Sequence, residues 1–474
     1  MYIMKQLVNN KFWIICLLLA AGSAWGQSTI HEIPTYESDT TIVRYWHESI
    51  SVMYTSNSVT YNKYFLLVDE NSSSVSRIAV PKDVTVNDFR ILNDKVYLGG
   101  HYKDPTGLQR GLLAWFDIND FYVGGGNYHW MLTGQTSMPD CYCGGCTNLI
   151  YDITRLALYE DPYEGMQIAF IGKNYIVGET TMRVGIGWAS YHMGSWYASI
   201  IYNKYAEEEY SDIIATQNYV VAAARHNVNS HLVLRVFPKN NYIYHQGASG
   251  GLPCPNLYWS FYPNKYGQEF TDLKVDENVM ATALNEDDFA VAYHYTNAPG
   301  DGLALKTFSI SSSIAALQQR LNLPLARQSS SLWKMRDICY STPSQQLIVL
   351  NDSDGGTLAG PESVIYQFPA YALMPGVYYG RYLPSEVLHA TDYYEATDAW
   401  VATGNRNVRG CPVLYWENLV APMSCGSQDE IKAITATATW ESIFMETNIN
   451  DPRFDEGELF FEVEDIVKEI MCEK

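Results

Sequence analysis

The sequence is poor in basic residues. It has 31 Lys and Arg against 52 Asp and Glu, which gives a formal net charge of −21. Nucleic-acid binding needs a concentration of Lys and Arg, so this balance argues against a nucleic-acid partner. The chain also lacks a His-Glu-x-x-His sequence, a P-loop and a Rossmann glycine fingerprint. We therefore predict no metal, no cofactor and no catalytic residues.

Long apolar runs are missing except at the N-terminus. Residues 12–21 form an apolar stretch that follows Lys5 and Lys11 and precedes Ala24-Trp25-Gly26. The stretch is short for a membrane span, which takes about 20 residues, and its small-residue exit is typical of a secretory signal. We predict a signal peptide over 1–26 and export to the periplasm, the cell surface or the medium. A retained N-terminal anchor is the alternative.

Cysteine is present in a number that suits an exported chain. Without Cys16, which lies in the apolar stretch, eight cysteines remain. The dense group Cys141-Tyr-Cys143-Gly-Gly-Cys146 is open to a zinc or redox interpretation, but no His is close in sequence and no βαβ pattern surrounds it. Structural disulfides are the preferred interpretation. The candidates are Cys141, Cys143, Cys146, Cys254, Cys339, Cys411 and Cys425.

A repeat dominates the rest of the chain. The pattern apolar, any residue, Asp, apolar recurs with 55 to 65 residues between successive aspartates. An Asp at a strand entrance can accept hydrogen bonds from backbone amides and hold the connection between two sheets. We interpret the aspartates in this way, with a direct ligand role as the alternative. They are Asp88, Asp152, Asp212, Asp272, Asp337 and Asp392.

Each copy of the pattern precedes two further apolar runs, the second of which usually ends in an aromatic residue. These runs are short, rich in β-branched and aromatic residues, and bounded by Gly, Asn, Asp and Pro, which predicts strands. A doubtful seventh copy precedes the others, with 64–68 as its third run. We also predict a strand at 29–36 that completes the last sheet, and a helix at 313–321.

Three or four strands per unit, repeated six or seven times, resemble a β-propeller. Radial stacking would bury each small sheet against two neighbours. The resemblance is architectural, because the sequence has no WD40, kelch or sialidase Asp-box signature. It implies an all-β, seven-bladed propeller over 27–426. Residues 427–474 form an acidic extension outside the repeat. Within it, 434–440 alternate like a strand, and a helix is predicted from the helical spacing of Leu459, Val463, Ile466, Val467 and Ile470. A pair of large β-sandwiches is the structural alternative.

A polar position follows the second run of most units. If the propeller resemblance holds, the loops at this position open on the face where propellers usually bind ligands, near the axis. These side chains would then form a polar funnel for a sugar or peptide. Ordinary exposed loop residues are the alternative interpretation. The candidates are His101, Glu179, Arg225, His226, His294, Asp352 and Asn405.

Function stays open between three hypotheses. The first is an exported binding or scaffold module for carbohydrate or protein, favoured by the export signal, the 37 Tyr and 12 Trp, and the absence of a catalytic signature. The second is a propeller enzyme that acts on polysaccharide, which needs two carboxylates across a cleft or a His/Tyr acid–base pair. The third is a structural part of a surface assembly. The sequence does not indicate the oligomeric state.

Overall fold

We describe a computed structural model of the chain. The residues it describes are 29–32, 40–47, 50–57, 61–69, 74–123, 128–132, 148–161, 165–176, 182–192, 195–203, 208–239, 243–246, 257–260, 265–297, 300–311, 314–324, 333–353, 362–373, 376–384, 386–394, 399–406, 412–418, 427–436, 443–447 and 454–460. Apart from one short helix, α1 (Asp120–Val123), the regular structure in these residues is β. The signal-peptide prediction lies outside them.

The strands follow one another as antiparallel groups of about four. Group 1 contains β2 (Thr40–His47), β3 (Ile50–Ser56), β4 (Lys63–Asp69) and β5 (Ser74–Ala79). Group 2 contains β6 (Val84–Leu92), β7 (Lys95–Lys103), β8 (Gln109–Asp117) and β9 (His129–Leu132). Group 3 contains β10 (Asn148–Asp161), β11 (Gly165–Ile176), β12 (Met182–His192) and β13 (Ser195–Asn203).

One long strand links the next two groups. Group 4 contains β14 (Glu208–Ala215), β15 (Tyr219–His226), β16 (His231–Pro238) and the first part of β19 (Lys265–Ala283), with a separate hairpin of β17 (Ile243–Gln246) and β18 (Leu257–Ser260) between them. Group 5 contains the second part of β19, then β20 (Asp288–Asn297), β21 (Gly300–Ser311) and β22 (Ile314–Pro324). Thus β19 pairs with β16 before it bends and pairs with β20.

The last group also contains a strand from the N-terminal end of the chain. Group 6 contains β23 (Trp333–Ser341), β24 (Gln346–Ser353), β25 (Glu362–Pro369) and β26 (Gly376–Pro384). Group 7 contains β27 (Glu386–Tyr394), β28 (Ala399–Arg406), β29 (Pro412–Asn418) and the N-terminal strand β1 (Thr29–Glu32). The pairing of β1 with β29 confirms the predicted strand for 29–32, and 33–36 lie outside the described residues.

A hydrophobic cluster separates each group from the next. Phe65 of group 1 packs edge-on against Phe89 of group 2, and Trp188 of group 3 packs edge-on against Phe237 of group 4. Corresponding clusters lie between the other consecutive groups and between groups 7 and 1, where Val401 joins residues of β2, β3 and β4. Each group therefore buries both of its faces, because apolar side chains alternate to both sides of its strands.

The first strands of the groups are neighbours in space. Strand β2 contacts β6, and the contacts continue through β10, β14, β19, β23 and β27, which in turn contacts β2. The run predicted at 64–68 for the seventh copy is a strand: β4 is the third strand of group 1 and covers these residues. Asp39, which precedes this group, lies outside the described residues.

The acidic extension supplies strands to existing groups. Strand β30 (Ser427–Ala436) pairs with β26 and β22, β31 (Ile443–Thr447) pairs with the first part of β19, and β32 (Phe454–Phe460) pairs with β13. Of the strand predicted at 434–440, residues 434–436 lie at the end of β30, and 437–440 lie outside the described residues. Of the predicted helical stripe, Leu459 lies in β32, and the residues beyond 460 are outside the described part of the chain.

The helix predicted at 313–321 is wrong. The segment is strand β22, which pairs along its length with β21. Ala316 is buried whereas Arg320 is half-exposed, and a register shift at Thr307/Phe308 changes which side chains face inward. That irregularity removes the strict two-residue alternation, and the remaining pattern resembles helical spacing.

Candidate functional site

A cavity of about 310 Å³ lies where the first strands of the groups meet. All seven first strands contribute to its lining, from β2 in group 1 to β27 in group 7. Its charged lining residues are Arg44, Arg90, Asp337 and Asp392. We call it the central cavity. Its size falls at the lower end of the range of about 300–1,000 Å³ typical of small-molecule sites.

Three of the repeat aspartates occupy equivalent places beside the cavity. Asp88, Asp212 and Asp337 each follow a β-bulge in the first strand of their group. Each accepts a hydrogen bond from a backbone N–H in the first strand of the next group. The distances are 3.0 Å from Leu156 to Asp88, 2.8 Å from Ala281 to Asp212 and 3.0 Å from Thr391 to Asp337. The bulge turns the Asp side chain toward the neighbouring group.

Asp392 acts similarly from group 7. Its Oδ2 accepts a hydrogen bond of 2.8 Å from the backbone N–H of Tyr45 in group 1. The bulge in β27 falls between Leu388 and Ala390, so Asp392 lies two residues further along its strand than the equivalent position. Burial raises the pKa of Asp392, and the charge of Arg44 offsets this only in part.

Arg44 is buried beside the cavity and uses most of its hydrogen-bonding capacity. Its Nε donates to Phe89 O at 3.2 Å, its Nη1 to Val43 O at 2.8 Å, and its Nη2 to Asp88 Oδ1 at 3.0 Å. Its Nη1 also lies 3.8 Å from Asp337 Oδ2. Burial alone would lower the pKa of Arg44, but Asp88, Asp337 and Asp392 outweigh it and raise the pKa. Arg44 thus connects groups 1, 2 and 6.

Arg90 contributes a second guanidinium with fewer partners. Its Nε donates to Leu156 O at 3.1 Å and lies 3.5 Å from Asp88 Oδ2. Its side chain is 31% exposed, compared with 7% for Arg44. A third guanidinium, Arg155, lies with its Nε 3.9 Å from Asp212 Oδ1. We refer to the three arginines with Asp88, Asp212, Asp337 and Asp392 as the charged cluster.

The pKa values of Asp88 and Asp212 are shifted in opposite directions. Burial raises the pKa of Asp88, but Arg90, Arg44 and Arg155 outweigh burial and hold the pKa below its ordinary value. Burial raises the pKa of Asp212 to about 6, because Arg155 and Arg90 compensate it less completely. A fully buried carboxyl with one distant cation favours its neutral form.

The remaining repeat aspartates lie elsewhere. Asp152 also follows a bulge, between Ile150 and Asp152, but β10 has a second bulge between Ile153 and Arg155. Asp152 instead lies 2.9 Å from His101 Nδ1. Asp272 lies in the part of β19 that pairs with β16 and accepts from Lys306 at 2.7 Å and from Arg320 at 2.8 Å, both in group 5. Both aspartates thus contact side chains of a neighbouring group, and the role predicted for the repeat aspartates stays a prediction for these two.

None of the funnel candidates that the structure describes lines the central cavity. Some of them connect neighbouring groups: His294 Nε2 lies 2.9 Å from Asn351 Oδ1, and Arg225 Nη1 donates to Asp276 O. Asp352 accepts from Arg336 at 2.5 Å within group 6. Arg225, His294 and Asp352 each lie near the end of the second strand of their group, where the sequence predicted them. The funnel itself stays a prediction.

Three further funnel candidates have different surroundings. His226 Nδ1 accepts from the backbone N–H of Val228 at 3.2 Å, within its own turn. Asn405 is buried at the end of β28. Glu179 lies outside the described residues.

Of the disulfide candidates, the structure describes only Cys339. It is a free, buried thiol whose Sγ lies 3.5 Å from Thr391 Oγ1, so this candidate is not in a disulfide. It lines the central cavity, and burial raises its thiol pKa. The other candidates, Cys141, Cys143, Cys146, Cys254, Cys411 and Cys425, lie outside the described residues.

The arginines of the cluster are what the sequence interpretation missed. A usable signal was present, because Arg44 lies between Val43 and Tyr45, and Arg90 between Phe89 and Ile91, in a chain with few basic residues. A charged residue inside a buried strand requires a partner. Within the described residues, no group of three or more His, Cys, Asp or Glu side chains is arranged to hold a metal ion. No helix of the described part is long and apolar enough to cross a membrane.

Comparisons with known proteins give structural likeness only. No protein-family model matches the chain, and no curated protein matches it. A crystal structure of the polysaccharide lyase Uly1 matches with a TM-score of 0.44 and 8% identity, over 81% of this chain and 90% of that one. A prolyl endopeptidase structure matches with a TM-score of 0.44 and 7% identity, over 78% of this chain and 45% of that one. A bifunctional GH43-CE protein from Bacteroides eggerthii has a TM-score of 0.25 and 9% identity, over 84% of this chain and 54% of that one.

Proposed function

We propose that this protein is an exported, seven-bladed β-propeller with the seven strand groups as its blades. The support is the contact of each first strand with the next, including β27 with β2, and the hydrophobic cluster between every consecutive pair of groups. The leader over 1–26, the propeller over 27–426 and the acidic extension over 427–474 belong to this proposal. N-terminal sequencing of the secreted protein tests the leader, since a chain that still begins at Met1 contradicts it.

We further propose that the protein is a binding module that takes one small polar group, such as a single sugar residue, into the central cavity. The observation that carries this proposal is the combination of cavity and charge: about 310 Å³, lined by all seven first strands and by two guanidiniums and two carboxylates. Water occupies about 30 Å³ per molecule in the liquid, so the cavity corresponds to roughly ten waters. Charged and hydroxyl-bearing walls select for a ligand with several hydrogen-bonding groups.

Filling the cavity tests the binding proposal. Thr282 lines it, so Thr282→Trp should occupy the space and lower the affinity for a monosaccharide ligand at least tenfold. The matched control is Val228→Trp, which places the same side chain at a position 81% exposed in the turn between β15 and β16. Isothermal titration calorimetry with a panel of neutral and acidic monosaccharides measures both. Equal affinities in the two variants, with both folded by circular dichroism, contradict a ligand in this cavity.

A polysaccharide-active enzyme is the second proposal, and one observation favours it. Asp337 and Asp392 both line the same cavity, and the pKa of Asp392 is raised by burial, as a general acid requires. Incubation with plant and algal polysaccharides followed by chromatography of the products tests it. Shorter products from the wild type but not from Asp392→Asn support the enzyme, and unchanged polysaccharide contradicts it.

A further inference from the structure

We propose that the ligand of the central cavity carries a carboxylate, and that Arg90 binds it through its two terminal nitrogens. The ligand class is then a sugar acid, a ring of hydroxyls with one carboxylate, such as a uronic acid residue. This inference rests on the proposed binding function and specifies its ligand. It follows from how the donors and acceptors around the cavity are already used.

Arg90 differs from Arg44 in its unused donors. Arg44 donates from Nε, Nη1 and Nη2 to protein oxygens. Within the described residues, the hydrogen bonding of the Arg90 side chain is limited to its Nε, which donates to Leu156 O at 3.1 Å. Its nearest carboxylate, Asp88, also approaches Nε, at 3.5 Å, and leaves Nη1 and Nη2. Arg90 lines the cavity and is 31% exposed, so solvent reaches it.

The two carboxylates that line the cavity, in contrast, each already accept hydrogen bonds from two backbone N–H groups. Asp337 accepts from the N–H of Ile338 at 3.0 Å and from Thr391 at 3.0 Å. Asp392 accepts from the N–H of Tyr45, and the N–H of Tyr393 also stabilises its charged form. The capacity left over in the cavity is therefore that of a donor, and a ligand that matches it must present acceptor oxygens.

Geometry then selects among acceptors. A guanidinium with free Nη1 and Nη2 offers two N–H groups in one plane, and a carboxylate presents two oxygens in one plane at the same spacing. A neutral sugar hydroxyl accepts from one of these donors and leaves the other without a partner. Hydrogen bonds between a guanidinium and a carboxylate are charge-assisted and roughly twice as strong as neutral ones, so we expect at least about a tenfold higher affinity for the acid. The cavity should therefore prefer the acid over the neutral sugar.

The charges that face this site are of both signs, with three guanidiniums and four carboxyls in the charged cluster. Arg44 and Asp88 come from groups 1 and 2, Arg155 and Asp212 from groups 3 and 4, and Asp337 and Asp392 from groups 6 and 7. Asp88 is neutralised by Arg44, and Asp212 lies against Arg155. Asp337 and Asp392, which line the cavity, accept hydrogen bonds from backbone N–H groups. A ligand carboxylate beside Arg90 shares the charge of this guanidinium with Asp88, Asp212 and Asp392, but it can use the Nη1 and Nη2 donors.

Calorimetry with three probes and three variants tests the inference. The probes are D-glucuronate, D-glucose and acetate, titrated into the full-length protein. The wild type should bind glucuronate at least tenfold more tightly than glucose, and acetate, which lacks the ring, more weakly than glucuronate. In Arg90→Met the glucuronate-to-glucose affinity ratio should fall to about one. Arg90→Lys, which keeps the charge without the planar fork, should give an intermediate ratio.

The matched control is Arg77→Met, which removes an arginine from β5 in group 1, away from the cavity lining. Its affinity ratio should equal that of the wild type. A wild-type ratio near one, or a ratio unchanged in Arg90→Met, overturns the carboxylate assignment and leaves the binding function intact. Acetate as tight as glucuronate overturns the sugar-acid class alone. No heat of binding with any probe, together with no difference between Thr282→Trp and Val228→Trp, overturns the proposed function as well.

Discussion

Asp88 and Asp212 show how much the surroundings decide at one strand position. Both follow a bulge, both are buried, and both accept a backbone N–H from the next group at 2.8 to 3.0 Å. Asp88 also has Arg44 at 3.0 Å and Arg90 at 3.5 Å, whereas Asp212 has Arg155 at 3.9 Å. The pKa of Asp88 is lowered and that of Asp212 is raised to about 6. The repeat thus conserves the structural hydrogen bond while the arginines determine the charge.

Removal of Arg44 should have the largest effect. Arg44→Met leaves the buried Asp88 with Arg90, at 3.5 Å, and without its closer cation, and it breaks contacts among three groups. Loss of one partner of a buried ion pair costs about 3–5 kcal/mol. Urea denaturation followed by tryptophan fluorescence measures the free energy of unfolding, with Arg77→Met as the exposed control. A loss below about 1 kcal/mol contradicts the role of Arg44 as the link between groups.

At pH 7.5, replacing Asp88 by Asn and replacing Asp212 by Asn should change the free energy of unfolding by different amounts. Asp88→Asn removes the charge that balances Arg44 and Arg90, so we expect a loss of about 2–4 kcal/mol. Asp212→Asn removes a charge that burial already disfavours, so we expect a change within about 1 kcal/mol. The same denaturation experiment compares them. Equal losses in the two variants mean that the backbone hydrogen bond, and not the arginines, dominates at this position.

The raised pKa of Asp212 should also make the stability of the wild type depend on pH more strongly than that of Asp212→Asn. The folded-state pKa of Asp212, about 6, lies above the ordinary value of about 3.9. The folded protein therefore binds more protons between these values, and this group's contribution to stability falls as pH rises from about 4 to 6. Between pH 4.5 and 7 the loss is about 2 kcal/mol, and it should be absent in Asp212→Asn. A parallel pair of pH profiles contradicts the raised pKa.

Alkylation of Cys339 should give the smallest effect, and it tests whether reagents in solution reach the part of the cavity that this thiol lines. Its thiol lines the cavity near Asp337, but burial raises its pKa, so little thiolate exists at pH 8. Iodoacetamide should leave the Cys339 peptide unlabelled in the native protein and label it in 6 M guanidinium chloride. Peptide mass spectrometry distinguishes it from the other cysteines. Rapid native labelling would mean that solvent reaches this side of the cavity as freely as it reaches Arg90.

The repeated strands could be predicted from sequence because their signal is local. The apolar runs ending in aromatic residues became third strands, such as β16, where Leu234 and Phe237 are buried. The clustering of charge could not, because Arg44 and Asp88 are 44 residues apart in sequence and meet only through the pairing of groups. Bulges were equally invisible, since nothing in the composition of β10 indicates its second bulge, between Ile153 and Arg155.

The pairing of β1 with β29 has a consequence for how the molecule is made. Residue Thr29 lies opposite Trp416, so almost the whole chain must be synthesised before the two meet. Contacts between such distant positions form slowly, because the entropy of closing the loop must be overcome first. Until then the β29 edge lacks its partner and is open to other extended chains. The final annealing of the N-terminal strand should therefore be the slow step of maturation, and the period of greatest risk of aggregation.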